Sequence, residues 1–406
     1  MSDLSLPGDE RAGTLMSDGA LLRALLTVED AWLATLVDAG IAPDNAVVDL
    51  TALITEEDLT SISLAADGPG NPVVPVVDLL RERCTCPEAA QWLHRGLTSQ
   101  DVMDTAFALS ARDVTDRLRA EVRQQADLLG ALATEHRDSI ATARTLTQPA
   151  VPTTLGLVVA GWLAGTLDAA GTLPGVPLQC GGAAGTRASL VELAGTEQDA
   201  ERLVLGLATR LGLSTADPWH TRRTPVTGLA DAVVACTDAW GRMANDVLLR
   251  CRPEIGEVSL QTVGGSSTMP HKQNPTAAVL VRRTALAAPA LAAQVHVAAA
   301  SQVDERADGG WHAEWPAARA LLRQALVAAS FASEIAEGLV LHADRARKNA
   351  EALSVDLLAE QRSLRGLAGR STDDESPTLE DYLGTAAAQV DAVVSRAAAW
   401  TREGPE

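Results

Sequence analysis

Three polar, glycine-containing segments stand between long apolar stretches of the chain. They are His94-Arg95-Gly96-Leu97-Thr98-Ser99-Gln100-Asp101, then Gln179-Cys180-Gly181-Gly182-Ala183-Ala184-Gly185-Thr186, then Gly264-Gly265-Ser266-Ser267-Thr268-Met269-Pro270-His271-Lys272-Gln273-Asn274-Pro275. In the third, glycines, serines and a threonine in a row can turn successive backbone N–H groups toward an anion. Lys272 adds a positive charge and Asn274 a directional donor. Small polar residues on loops between rigid elements are where binding and catalysis are usually placed. The five cysteines (Cys84, Cys86, Cys180, Cys236 and Cys251) form no CxxC pair, and no Cys/His cluster has zinc spacing.

The elements that must carry these loops are helical. Ala and Leu are abundant, whereas one Tyr and two Phe accompany eight Trp, so the composition favours an all-α fold. Val233, Cys236, Trp240, Met243 and Val247 follow a 3-4 rhythm that gives one apolar seam. Val102, Ala106 and Leu109, then Leu118, Val122, Leu129 and Leu132, repeat it along a long charged-faced helix. Thr145 to Leu167 and Thr284 to Val303 carry no charge, yet their Thr, Gln, Pro and His content is too polar for lipid. Helices of this kind are buried on all sides in the middle of a large bundle, one that other subunits can complete. The chain is read as an N-terminal helical domain (1–100), a central long-helix bundle (101–340) and a small, shortened C-terminal helical domain (341–406). With 33 Lys+Arg against 53 Asp+Glu, the net charge is −20. Such a surface repels phosphates, which argues against nucleic acid and anionic membranes as partners. An anionic small molecule would need a locally basic pocket. The unpaired cysteines, and an N-terminus that shows no basic or apolar leader pattern, fit a reducing cytoplasm best, and that is the expected location.

Gly265 to Pro275 resembles the signature loop of the fumarase/aspartase superfamily. Thr98 to Ala106 is similar to its first conserved segment, Arg144 to Ala150 to its second, and Gly181 to Thr186 fits as well. Within the superfamily, three features are most similar to the bacterial 3-carboxy-cis,cis-muconate cycloisomerases. They are Thr98-Ser99-Gln100-Asp101, Leu146 at a position where adenylosuccinate lyases carry a His, and Trp311-His312-Ala313-Glu314-Trp315. Gly70 to Pro75 and Tyr382 to Ala386 point the same way. The stretch from Ala352 to Leu379 departs from the pattern, being shorter and more charged.

The resemblance implies elimination or addition beside a carboxylate, through a doubly charged aci-carboxylate, with no metal and no redox cofactor. It implies that Ser266 carries the proton, with Ser267 as the adjacent alternative, supported by N–H donors and Lys272. Lys272 and Asn274 would bind one substrate carboxylate. Thr98 and Ser99 would hold a second through hydroxyl and backbone donors, and Gln148 would add an amide. The Gly181 to Thr186 turn would add N–H groups, and Arg95 and Arg144 positive charge. His94 matches an acid/base position of adenylosuccinate lyases, but its usual partner is here Leu146, so a supporting or substrate-binding role and a structural one both stand. Glu254 and Glu257 read as ion-pair partners of arginines. His271 reads as an orienting group, His312 as packing, and His136, His220, His296 and His342 as ordinary core or surface residues. The superfamily's long helices associate into homotetramers with shared active sites. The expected reaction is lactonisation of 3-carboxy-cis,cis-muconate in protocatechuate (aromatic) catabolism. A fumarate-releasing lyase acting on nitrosuccinate or adenylosuccinate is the alternative, and a non-catalytic helical oligomer is a third reading.

Overall fold

The computed structural model describes residues 4–265, 268–269, 272–306, 308–369 and 377–402. Ser266, Ser267 and His271 lie outside the described residues. Helices dominate, as the composition requires. The longest are Ser99–Glu135, Gly310–Gly338, Thr224–Arg250 and Thr276–Ala300. The chain divides into two compact units: residues 1–116, 173–233 and 289–324, and residues 117–172, 234–288 and 325–406. The division falls inside each of the four longest helices.

The first unit has one large core. The Asp18–Asp38 helix starts at Ser17, whose hydroxyl accepts from the Ala20 N–H. This side chain satisfies one of the orphan donors of the first turn. The helix buries Leu22, Leu25, Leu26, Trp32, Leu33 and Leu36. Leu80, Leu93, Val102, Ala106, Leu203, Leu207 and Trp311 join them in the same cluster. Each buried leucine contributes about 2 kcal/mol relative to exposure, so this core fixes the loops that leave it.

In the second unit the two seams read from sequence are buried. Cys236, Trp240, Met243 and Val247 line the Thr224–Arg250 helix, and Leu118, Val122 and Leu129 line Ser99–Glu135. Leu132 is half-buried. Gln125, fully buried, ties helices together: its Oε1 accepts from Trp240 Nε1 at 2.8 Å, and its Nε2 donates to Ala329 O and to Ser333 Oγ.

The charge-free stretch from Thr145 is not one helix. Ile140–Thr145 and Gln148–Thr154 pair as an antiparallel hairpin, and the helix begins only at Leu155. Pro149 and Pro152 explain this, because proline lacks a donor and disfavours helix in the residue before it. Thr154 then caps the new helix, accepting from the Leu157 N–H. Val258–Leu260 and Leu339–Leu341 form a second small antiparallel pair. The other charge-free stretch is helical, as expected, but only partly covered. Val279, Leu286 and Val297 on Thr276–Ala300 remain exposed. By length and composition alone this helix could cross a membrane, but Arg282 and Arg283 lie within it, two turns from its start, where lipid would penalise charge.

Candidate active site

In the first unit a single buried carboxylate organises two of the three loops. Asp101 stands in the first turn of Ser99–Glu135 and is 1% exposed. Its Oδ2 accepts from the Thr98 N–H at 3.0 Å and the Gly182 N–H at 2.9 Å. Its Oδ1 accepts from the Gly181 N–H at 2.8 Å and lies 3.1 Å from His220 Nε2. Four donors converge on it and offset the cost of taking the carboxylate out of water. A Cβ on Gly181 would fall 2.5 Å from His220 Cε1 and 2.8 Å from Pro218 Cβ, so no side chain fits there. Gly182 takes a left-handed φ of 72°, a conformation that glycine adopts without strain.

The same region is stitched further by residues of the first loop and its helix. Gln100 Nε2 donates to His220 O, and Thr105 Oγ1 donates to Gln179 O. The Trp219 N–H donates to Gln179 Oε1. Arg187 donates to Cys180 O and pairs with Glu201. Burial and the neighbouring charge of Asp101 push the Cys180 thiol well up, which removes it as a nucleophile. Deeper, Arg223 lies between Asp104 and Glu314, donating to both, and Trp311 Nε1 donates to Asp104 Oδ1. Burial works to lower the Arg223 guanidinium, but Asp104 and Glu314 outweigh it and hold it above its ordinary value. Burial also raises Glu314, and Arg223 only partly offsets that.

These contacts alter one expectation. The N–H groups of Gly181 and Gly182, expected to face substrate, are occupied by Asp101, as is the backbone donor of Thr98. Those three backbone donors hold the two loops together. Thr98 and Ser99 are half-buried. Thr98 Oγ1 accepts from the Arg306 guanidinium. The exposed Thr186 accepts from the Ala188 N–H, and Arg95 donates to Gln91 O. His94 has a left-handed φ of 63°, and its Nδ1 lies 2.6 Å from the buried Glu29.

The remaining candidates belong to the second unit. Leu146 and Thr147 form the hairpin tip, both at positive φ, and Gln148 is exposed beside them, its Nε2 donating to Thr147 Oγ1. Arg144 is turned to the fully buried Glu257, which also pairs with Arg250 and accepts from Asn349. The ion-pair reading of Glu257 is thereby met. In the third loop, Gly264 and Asn274 exchange both backbone hydrogen bonds, closing the loop at its base. Asn274 Nδ2 donates to Gly265 O. Lys272 is exposed, its N–H donating to Met269 O. Among the described residues no group of three His, Cys, Asp or Glu could hold a metal ion.

Four residues in this arrangement escaped the sequence reading: Glu29, Asp101 as a clamp, His220 and Arg306. Asp101 was visible as part of a motif, but nothing in a linear pattern shows that its side chain turns inward. His220 lies 119 residues from it.

The chain matches the lyase family over residues 70–289 and belongs to the fumarase/aspartase superfamily. Its homologues and structural neighbours there are lyase and cycloisomerase enzymes. It is 38% identical to a nitrosuccinate lyase of Streptomyces davaonensis, over 88% of this chain and 79% of that protein. It is 36% identical to a 3-carboxy-cis,cis-muconate cycloisomerase of Bradyrhizobium diazoefficiens, over 84% and 77%. The crystal structure of the 3-carboxy-cis,cis-muconate lactonizing enzyme from Pseudomonas putida superposes with a TM-score of 0.83 at 30% identity, covering 96% of this chain and 97% of that one.

Proposed function

We propose that the protein is a cycloisomerase of 3-carboxy-cis,cis-muconate, working by addition beside a carboxylate. A substrate carboxylate adds to its own double bond, and the carbanion that forms next to another carboxylate is then protonated. Ser266 supplies that proton, with Ser267 next to it. Lys272, Asn274, Gln148 and the hydroxyls of Thr98 and Ser99 hold the substrate's carboxylates, with Arg95, Arg144 and Thr186 at the margin and His94 as an acid/base group. Fixed donors of this kind stabilise a localised charge best where water is excluded. The observation that carries the reading is the near-complete overlap with the Pseudomonas lactonizing enzyme, in a chain that also has the Gly265 to Pro275 loop.

The exposed apolar side chains of Thr276–Ala300 support assembly into a homotetramer, with sites completed by neighbouring subunits. The three-domain organisation at 1–100, 101–340 and 341–406, a cytoplasmic location and a place in aromatic catabolism belong to the same reading.

The Streptomyces relative favours a second reading, elimination of nitrite from nitrosuccinate to give fumarate. One assay separates the two. Purified protein is offered 3-carboxy-cis,cis-muconate, nitrosuccinate and adenylosuccinate while diene and fumarate absorbance are followed. Loss of the muconate diene supports lactonisation, fumarate release supports the lyase, and silence on all three sinks both. Ser266→Ala is expected to abolish turnover with helical content intact; near-normal activity would refute the proton-carrier assignment.

A further inference from the structure

We infer that Glu29 is a positioning residue for His94: it holds the imidazole with Nδ1–H turned inward and reserves Nε2 for the substrate. This rests on the reading of His94 as a group of the active site. Glu29 lies in the middle of the Asp18–Asp38 helix, 65 residues from His94 in sequence, and is 1% exposed. Its Oε1 is 2.6 Å from His94 Nδ1. Its Oε2 is buried without a hydrogen-bond partner. No arginine or lysine pairs with it among the described residues. A carboxylate held in this way is costly to bury, and among the described residues the ring of His94 is the one hydrogen-bonding partner its side chain has.

The other side of the pair is equally constrained. His94 is in a left-handed conformation, which a residue with a side chain adopts at a cost of about 1–3 kcal/mol. The loop is anchored around it. Trp32, three residues beyond Glu29 and on the same helix face, donates from Nε1 to Arg95 O at 2.7 Å. Ser189 Oγ donates to Gly96 O, and Arg81 donates to Leu93 O. Gly96 has a φ of 90°, and a Cβ there would meet Leu193 Cδ1 at 2.8 Å. Four residues on three elements thus fix this turn. The His94 side chain stays 18% exposed while Glu29 is closed off, and Nε2 has no partner among the described residues. One ring nitrogen is committed to the interior and the other is open, in the loop that presents Thr98 and Ser99. The hydrogen bond made by one ring nitrogen sets the role of the other, so the carboxylate selects which nitrogen the substrate meets.

Two measurements on the full-length protein test this. Ring-nitrogen NMR of histidine-labelled protein should show neutral His94 as the single Nδ1–H tautomer, identified by its loss in His94→Gln. Glu29→Leu, with helical content confirmed, should let the ring relax to a tautomer mixture. A wild-type ring protonated on Nε2 alone, or a tautomer unmoved in Glu29→Leu, overturns the proposal. In the substrate assay, Glu29→Gln should lower kcat about tenfold or more with KM nearly unchanged, the pattern of a lost transition-state interaction. A kcat within twofold of an active wild type also overturns it. Wild-type silence on every substrate would count against the proposed function alone, because the NMR result still decides whether Glu29 sets the tautomer.

Discussion

The most informative single perturbation outside the reacting groups is Asp101→Asn. The amide keeps one acceptor oxygen and replaces the other with an NH2 group, which cannot accept. If the oxygen stays at the Oδ1 position, Gly181 and His220 keep their partner. The Gly182 and Thr98 N–H groups, at 2.9 Å and 3.0 Å from Oδ2, then face a donor. Gly182 is buried, so its N–H is left unsatisfied at about 1–3 kcal/mol, while Thr98 is half-buried and can recruit water. Loss of the charge-assisted character of the surviving bonds brings the total to about 2–4 kcal/mol. That is a large part of a typical folding free energy of about 5–15 kcal/mol. It acts locally, by freeing the Gly181–Gly182 turn from the Thr98 loop. Hydrogen exchange of a peptide spanning 178–187 reads this directly. Each 1.4 kcal/mol corresponds to about tenfold in an opening equilibrium, so exchange should accelerate by roughly 30-fold to 1,000-fold. Turnover should fall with it, because the loop bearing Thr98 and Ser99 loses its anchor. Exchange rates within about threefold of wild type, a change below 1 kcal/mol, would refute the view that one carboxylate joins the two loops.

Other substitutions probe the supports around that clamp. Gly181→Ala forces a methyl against His220 and Pro218; it should cost about 1–3 kcal/mol in urea unfolding and reduce turnover, and wild-type stability would contradict the close approach. Gln125→Leu strands the buried Trp240 N–H and should cost about 1–3 kcal/mol; adding Trp240→Phe should cost less in that background than in wild type, and simple additivity would disprove the coupling. In the Asp104–Arg223–Glu314 cluster, two carboxylates face one guanidinium. Arg223→Met should therefore cost about 3–5 kcal/mol, and Glu314→Gln distinctly less, as compared by urea midpoints. Burial raises Glu314 above its ordinary 4.5, so its stabilising contribution is complete below that value and is lost as pH rises through the raised one. Wild type should gain on Glu314→Gln as pH falls from neutrality toward that window, and the opposite trend in paired unfolding curves would overturn the assignment.

The two apolar seams and the polar loops were legible because helical burial writes a period into the sequence. Trp240 and Met243, or Val102 and Ala106, are spaced by the geometry of one element and need no knowledge of any other. The hairpin at Ile140–Thr154 was not legible. Its strands are short and carry no alternation, and the two prolines that rule out helix there were outweighed by the lack of charge. Glu29 and His220 escaped for a different reason. Each acts through a partner 65 or 119 residues away, and the helix packing that closes such distances leaves no local mark. The exposed side of Thr276–Ala300 was read as buried because its composition is apolar; in the single chain Leu286 and Val297 face outward.

The Thr98-Ser99-Gln100-Asp101 segment shows why a motif cannot be translated directly into a set of substrate contacts. All four residues are polar, and each type could bind a carboxylate or move a proton. They sit where a loop enters a helix, so within one turn the side chains diverge. Gln100 and Asp101 point into the core, at 0% and 1% exposure: Gln100 Nε2 donates to His220 O and Asp104 Oδ2, and Asp101 accepts from backbone N–H groups and lies against His220. Thr98 and Ser99 stay half-buried at the surface of the turn. Burial therefore splits the motif into a pair that holds the loops and a pair left at the surface of the turn, of which Thr98 Oγ1 already accepts from the Arg306 guanidinium. The same division separates Glu29 from His94. In both cases the inward carboxylate is the costly member, since it must be desolvated. Hydrogen bonds from the groups it holds offset that cost, and under the proposed reaction, in which a carbanion forms beside a carboxylate, the same bonds fix the outward partner before the charge develops.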